Sequence, residues 1–122
     1  MIIIAGTIDL VDPESRAACI EGSVRFQQAS REEEPGCLAY CFAADPVVAG
    51  RIQVYELWQD EQSLAAHFTH ANYFGMRDFL SGAGLRGADN RKYRIDRVAP
   101  VYDEQFRPTA DFSSSDADAS GG

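Results

Sequence analysis

Two stretches of alternating residues, separated by a short connection, constrain the fold of this chain more than any other feature of its sequence. In residues 37–44 large apolar side chains alternate with small ones, and residues 51–58 have the same β-branched and aromatic content. The connection, residues 45–50, is too short for a crossover between parallel strands. We therefore predict that the two stretches pair as an antiparallel hairpin.

A strand and a helix are predicted before this hairpin. Residues 2–10 alternate with a period of two, which indicates a strand with one strongly apolar face. Asp12 can cap a helix, and the helix is predicted to end before Pro35. The acidic run at residues 32–34 is interpreted as the solvated end of this helix. The residues predicted to form its buried face are Ala17, Ile20 and Val24.

A second helical region and a last strand are predicted after the hairpin. The helical region covers residues 60–82 with a break near Asn72, residues 82–87 are interpreted as a turn, and the last strand is predicted over residues 92–101. This order of elements predicts an α+β fold with a ferredoxin-like β-α-β-β-α-β antiparallel sheet. Both helices should lie on one sheet face. Because the other face also carries large apolar residues, we predict a homodimer formed through the open sheet face.

Composition limits the domains, the partners and the location. Residues 1–102 are predicted to form one domain, and residues 103–122 an acidic, Ser/Asp/Gly-rich flexible tail. The net charge of -8 repels phosphate groups and anionic lipids, so neither nucleic acid nor a membrane is expected as a partner. Asp9 interrupts the apolar N-terminal run, which therefore resembles neither a signal peptide nor a membrane span. We predict a cytoplasmic location.

Several side chains near the end of the hairpin and in the second helical region could carry chemistry. Trp58 could line a pocket or close the core. His67 could act as a base near neutral pH, or could be a structural histidine that holds Glu56 or a backbone carbonyl. Glu56 could orient His67 or receive a proton. Arg77 could hold a phenolate or enolate, or could pair on the surface with Asp78.

Other candidates support a binding pocket rather than a metal centre. Tyr40 and Phe74 could form aromatic walls or belong to the core. His70 shares a helical face with His67, but no third ligand accompanies the two imidazoles, so no metal site is expected. The sequence has neither a dinucleotide-binding loop nor the nucleophile elbow of a hydrolase.

One part of the chain resembles a known family. The pattern of the antibiotic biosynthesis monooxygenases is similar to Tyr55-Glu56-Leu57-Trp58, followed by Ser63-Leu64-Ala65-Ala66-His67 and then by Phe74 and Phe79-Leu80. The resemblance covers residues 1–102. It implies a dimeric α+β barrel that oxidises quinols or polyketide anthrones with O2 and without metal or flavin. It also implies that Trp58 lines the pocket and that Arg77 corresponds to an Arg of the second helical region.

Two branches of that family can be compared with this chain. The anthrone-oxidising branch has an Asn and a Tyr where this chain has Val54 and Leu64. The haem-degrading branch needs an early Asn and a His ten residues after a helical Trp. This chain has no Asn before Asn72, and the residue ten positions after His67 is Arg77, so haem degradation is disfavoured.

These observations together predict an enzyme with a small aromatic substrate. We expect a cofactor-independent monooxygenase that oxidises a quinol or polycyclic phenol with O2. In this hypothesis His67 and Arg77 are catalytic: His67 takes a proton from the substrate and Arg77 stabilises the resulting anion. The residues expected to contact the substrate are Trp58, Glu56, Tyr40, Phe74 and His70. The alternative is a non-catalytic ligand-binding or accessory dimer on the same scaffold.

Overall fold

A computed structural model describes residues 1–112 and, for the backbone, residues 117–118. The prediction of a flexible tail falls partly on residues 113–116 and 119–122, which lie outside the described residues. A 3-10 turn at Pro13–Ser15 precedes the first helix. The strands and helices in chain order are β1 (Ile2–Leu10), α1 (Arg16–Glu33), β2 (Cys37–Ala44), β3 (Arg51–Trp58), α2 (Glu61–His67), α3 (Ala71–Gly82), β4 (Leu85–Arg94), β5 (Arg97–Val98) and β6 (Ala117–Asp118).

The main sheet has four antiparallel strands in the order β2-β3-β1-β4, and β5 pairs separately with β6. The predicted ferredoxin-like α+β fold is confirmed. One row of paired residues crosses the whole sheet, because Ile4 of β1 lies opposite both Glu56 of β3 and Lys92 of β4, and Glu56 lies opposite Tyr40 of β2. This cross-sheet row faces the helices.

The buried face of α1 differs from the predicted one. Ala17 and Val24 are exposed, Ile20 is partly buried, and the buried positions hold small or polar residues. The reason is visible at Gln27, whose side chain donates to the Phe42 carbonyl at 3.2 Å and accepts from the Phe42 N–H at 3.0 Å. Since β2 is an edge strand, this amide acts as a partner for backbone groups that the sheet leaves unpaired. The buried residues of α1 are Cys19, Ser23, Gln27 and Ser30.

The helices α1 and α3 touch through two reciprocal contacts between a glycine and a phenylalanine. A Cβ added at Gly22 of α1 would lie 2.5 Å from Phe79 of α3, and one added at Gly75 of α3 would lie 2.6 Å from Phe26 of α1. The two phenyl rings are 5.7 Å apart. Each ring therefore occupies the space that the side chain of any residue larger than glycine would need at Gly22 or Gly75.

The second helical region is broken, as predicted, although the break lies at residues 68–70 rather than at Asn72. Each half has its own N-terminal cap: Asp60 accepts from the Ser63 N–H at 2.7 Å, and the His70 ring accepts from the Asn72 N–H at 3.0 Å. The break changes the direction of the chain after His67. As a result α2 contacts β3, whereas α3 packs against α1.

The prediction of the last strand was wrong in its position. The strand β4 covers Leu85–Arg94 instead of residues 92–101. Of the turn predicted at 82–87, only Ala83 and Gly84 lie between α3 and β4. Gly84, with a φ of 87°, makes the change of direction. Every residue of β4 is exposed, so its sequence has no apolar alternation that could identify it.

The described part of the C-terminal segment contains a hydrogen-bonded turn. Tyr102 and Pro108 form an isolated antiparallel bridge, and the Asp103 carboxylate accepts the backbone N–H groups of Gln105 and Arg107, both at 2.9 Å. These bonds lower the pKa of Asp103. Within the described residues, none of the helices has the length and apolar character that crossing a membrane requires.

Candidate active site

A cavity of about 520 Å³ lies between the helix-facing side of the sheet and the helix α3. The cross-sheet row forms part of its floor, and this volume lies within the range of sites that bind small organic molecules. Apolar side chains from three elements form its wall. The residues that form this apolar wall are Ile4, Ile8, Phe42, Tyr73, Met76 and Leu80.

Glu56 lines the cavity and is an almost fully buried carboxyl group, with 7% of its surface exposed. The indole N–H of Trp58 donates a hydrogen bond of 2.9 Å to Glu56 Oε1. Burial raises the pKa of Glu56 to about 7, although the bond from Trp58 acts in the opposite direction, and the charge of Glu34 raises it further. Near neutral pH this group can therefore both accept and donate a proton.

His67 also lines the cavity and is paired with Glu34, a residue that the sequence analysis assigned to solvent. Its Nδ1 atom lies 2.8 Å from Glu34 Oε1, and only 1% of the His67 surface is exposed. Burial lowers the pKa of His67 more than Glu34 raises it. The imidazole is thus neutral at pH 7, donates its Nδ1–H to Glu34, and keeps Nε2 as the nitrogen that can accept a proton.

The prediction that residues 32–34 form a solvated helix end was wrong for Glu34. The helix α1 ends at Glu33, and Glu34 has an extended backbone, with φ of -106° and ψ of 105°, which turns its carboxylate inward. The second oxygen accepts a bond of 3.3 Å from the Asn72 amide. His67 therefore holds Glu34 instead of Glu56. The signal available in the sequence was the helix stop at Pro35, which marks Glu34 as the first residue beyond the helix.

Aromatic rings surround His67 and fix its orientation. The ring centroids of Trp58, Tyr73 and Tyr40 lie 4.5, 5.5 and 5.7 Å from that of His67. Trp58 has 0% of its surface exposed and lies behind His67 rather than along the cavity wall. The sequence analysis expected Trp58 to contact a substrate, whereas the structure places it where it supports Glu56 and His67.

Tyr40 lies on the cavity floor, where its phenol group is a hydrogen-bond donor. The side chain is buried beside Tyr73 and His67 and lines the cavity. Burial, together with the charges of Glu56 and Glu34, raises the pKa of its hydroxyl well above the usual range, so this group keeps its proton at all pH values at which the protein would be assayed.

Arg77 reaches the cavity from α3 and also makes the predicted surface pair with Asp78. Its Nε atom lies 3.0 Å from Asp78 Oδ1 in an exposed ion pair, and its side chain, 52% exposed, also lines the cavity. The guanidinium lies 5.0 Å from the ring centre of Phe74 and 6.0 Å from that of Tyr73. Phe74 does not line the cavity; it supports Arg77 from outside.

His70 lies away from the cavity. It caps α3 and borders a smaller hollow of about 310 Å³ on the other side of Trp58. The described residues contain no cluster of three or more His, Cys, Asp or Glu side chains that could hold a metal ion. The structure thus brings Glu56, His67, Tyr40 and Arg77 together around one space and leaves Trp58, Phe74 and His70 outside it.

Comparison with known proteins identifies the family. The sequence profile of the family described as "Antibiotic biosynthesis monooxygenase" matches residues 1–76. A candidate antibiotic biosynthesis monooxygenase from Deinococcus radiodurans is 22% identical, with a TM-score of 0.74 over 84% of this chain and 100% of that chain. A second one, from Caulobacter crescentus CB15, is 17% identical, with a TM-score of 0.69 over 75% and 86%.

Another similar structure comes from a protein whose function is unknown. This protein, from Bacteroides thetaiotaomicron, is 23% identical and has a TM-score of 0.64 over 75% of this chain and 95% of its own. No curated protein matches the chain. At these identities the structures establish the fold, and the profile match over more than half of the chain establishes the family. The chain belongs to the antibiotic biosynthesis monooxygenase family.

Proposed function

We propose that the protein is a monooxygenase that oxidises a small quinol or polycyclic phenol with O2 and uses neither a metal nor an organic cofactor. One observation carries this proposal: a largely apolar cavity of about 520 Å³ holds a buried carboxyl group with a pKa near 7 and a neutral imidazole, with a guanidinium at its rim. Membership of the family supports the same reaction class.

Removal of the phenolic proton is the first step of the proposed reaction. The Nε2 atom of His67 accepts this proton, because the neutral ring keeps its lone pair there while Nδ1–H is bound to Glu34. The carboxylate of Glu34, 2.8 Å away, then stabilises the imidazolium. Arg77 stabilises the phenolate, which is the electron-rich form of the substrate.

Reaction with oxygen follows without an external reductant. The phenolate transfers one electron to O2, and the resulting radicals combine at a ring carbon that bears hydrogen, forming a C–O bond. Glu56, which is partly protonated near pH 7, gives its proton to the peroxide. The Glu56 carboxylate then takes the carbon-bound hydrogen as a proton while the O–O bond breaks, which leaves a quinone, and the departing hydroxide takes the proton held by His67 to become water. One oxygen atom enters the product, and the substrate supplies all four electrons.

The apolar wall around the cavity serves this chemistry by keeping water from the sides that it covers. Tyr73, Met76 and Leu80 cover the space above the sheet, and Phe42 covers the floor. On these sides the ring and its peroxide contact apolar atoms instead of water, which limits side reactions of the peroxide.

The proposal also includes a homodimer formed through the sheet face opposite the helices. This face carries Ile3 and Leu57, which lie opposite each other, together with the exposed rings of Tyr55 and Tyr93. An apolar surface of this kind is usually covered by a partner. Sedimentation velocity should give the mass of a dimer, and Tyr55→Glu should convert it to a monomer; a monomeric unaltered protein would contradict this part of the proposal.

Oxygen uptake tests the proposed reaction. The purified protein is mixed with a panel of quinols, naphthols and anthrones in an oxygen electrode, and products are analysed after incubation with ¹⁸O2. We expect stoichiometric uptake and one labelled atom in the product. His67→Ala should lower kcat by a factor of about 10² to 10⁴, which is the usual contribution of a general base. Ligands that raise the melting temperature without any oxygen uptake would instead identify a binding protein.

A further inference from the structure

Positive side chains stand at the open side of the cavity although the protein is acidic as a whole. Arg77, Arg91 and Lys92 line the cavity, and Glu56 is the one carboxyl group that lines it among the described residues. The chain as a whole has a net charge of -8. Like-signed charges around a low-dielectric space concentrate ligands of the opposite charge. We infer that the cavity binds an aromatic carboxylate whose acid group is held by Lys92.

The position of Lys92 fits this role. In the cross-sheet row, Lys92 and Glu56 flank Ile4 on opposite sides, so two strand spacings, about 10 Å, separate their backbones. A flat two-ring ligand lying along this row can present a hydroxyl to Glu56 and His67 at one end and a carboxylate to Lys92 at the other. The arrangement therefore selects a hydroxylated aromatic acid over a neutral phenol.

Lys92 is also the cation of this group that is available for a ligand. Arg77 pairs with Asp78 and Arg91 with Asp89, both in exposed ion pairs that compete only weakly with a bound anion. Within residues 1–112 Lys92 makes no salt bridge. Glu56 does not pair with it either, because the hydrogen-bond partner of Glu56 among the described residues is the Trp58 indole, and Glu56 makes no salt bridge there. The ammonium group thus faces the cavity without a carboxylate of its own.

A second explanation for Lys92 gives a different result in solution. Lysine on an edge strand also prevents pairing with other chains, and β4 is an edge strand. That role would affect association of the protein and leave ligand selectivity unchanged. The inference rests on the proposed function for the hydroxyl end of the ligand, whereas the carboxylate end can be tested by binding alone.

The test compares two probes that differ in one group, a hydroxynaphthoic acid and the naphthol that lacks its carboxylate. Isothermal titration should show that the unaltered protein binds the acid about tenfold more tightly than the naphthol, and Lys92→Gln should remove this difference, as expected for one charge-assisted hydrogen bond. Lys92→Arg should keep the selectivity. The matched control is Arg86→Gln, which removes one positive charge from β4 outside the cavity and should also keep it. Raising the salt concentration should weaken binding of the acid only.

The outcomes separate this inference from the proposed reaction. Equal affinity for the two probes, failure of the acid to bind, or a Lys92→Gln variant that keeps the selectivity would overturn the inference, even if oxygen uptake with the naphthol supported the reaction. Selective binding of the acid that depends on Lys92, without oxygen uptake for any substrate, would support the inference and contradict the reaction.

Discussion

Replacing Glu56 with Gln should make the protein more stable at alkaline pH and leave it nearly unchanged at acidic pH. Gln keeps an oxygen that can accept the bond from the Trp58 indole, but it cannot ionise. Burial raises the pKa of Glu56 from 4.5 to about 7. Because the folded state holds this proton more tightly than the unfolded state, the stabilisation is fully present below pH 4.5 and is lost as the pH rises through about 7.

The size of the effect follows from this pKa difference. A difference of about 2.5 units corresponds to about 3 kcal/mol in the free energy of unfolding. Solvent screening removes little of it, because Glu56 is only 7% exposed. We therefore expect Glu56→Gln to match the unaltered protein within about 1 kcal/mol near pH 4.5 and to exceed it by about 3 kcal/mol near pH 9.

Urea unfolding followed by the fluorescence of Trp58 measures this difference at a fixed protein concentration. His67 has the opposite pH dependence, since its pKa is lowered and its contribution is lost as the pH falls, but His67 is present in both proteins and largely cancels. Glu21→Gln, at an exposed position of α1, is the control and should differ by less than about 0.5 kcal/mol at every pH. A Glu56→Gln difference that does not change with pH would refute the reasoning.

Two further predictions concern the groups that hold the site and the edge of the sheet. Glu34→Gln should shift the acid limb of the pH profile of kcat/KM to lower pH, because the hydrogen bond and the charge of Glu34 raise the pKa of His67. Oxygen uptake across the pH range measures this shift. An acid limb that does not move would show that His67 is not the titrating base. Gln27→Ala should lower the free energy of unfolding by about 2–3 kcal/mol, since it removes two buried hydrogen bonds to the backbone of Phe42. As a control in the same urea experiment, Gln28→Ala on the exposed side of α1 should lower it by less than about 0.5 kcal/mol.

The order of elements could be predicted from the sequence because most of them bury one face. Strands β1, β2 and β3 alternate clearly in sequence, and the break in the second helical region was predicted near Asn72, close to its position at residues 68–70. The strand β4 could not be predicted, because it is exposed along its whole length and its pairing with β1 depends on the rest of the sheet. The face of α1 was mispredicted because Gln27 is buried by bonds to another element.

The candidate site could be predicted only in part, because the type of a residue does not show whether its side chain will be covered by another element or face a cavity. Glu56 and Trp58 share a strand face, yet α2 places His67 over Trp58 and leaves Glu56 open to the cavity. Glu34 was missed because its own extended backbone, just after the end of α1, turns its side chain inward, and the sequence does not specify that conformation. Lys92 was missed because it was predicted as the first residue of the last strand, whereas it lies near the end of β4, opposite Ile4 and beside the cavity.

The contacts of Gly22 with Phe79 and of Gly75 with Phe26 determine how closely α3 approaches α1, and α3 forms the roof of the cavity through Met76 and Leu80. A methyl group at either glycine would lie within 2.6 Å of a phenyl ring, so either the ring or the helix that carries it would have to move, without a change in any residue that meets a ligand. Substitutions at these two glycines in related proteins could therefore change the size of ligand that the cavity accepts, without any change in the residues that transfer protons.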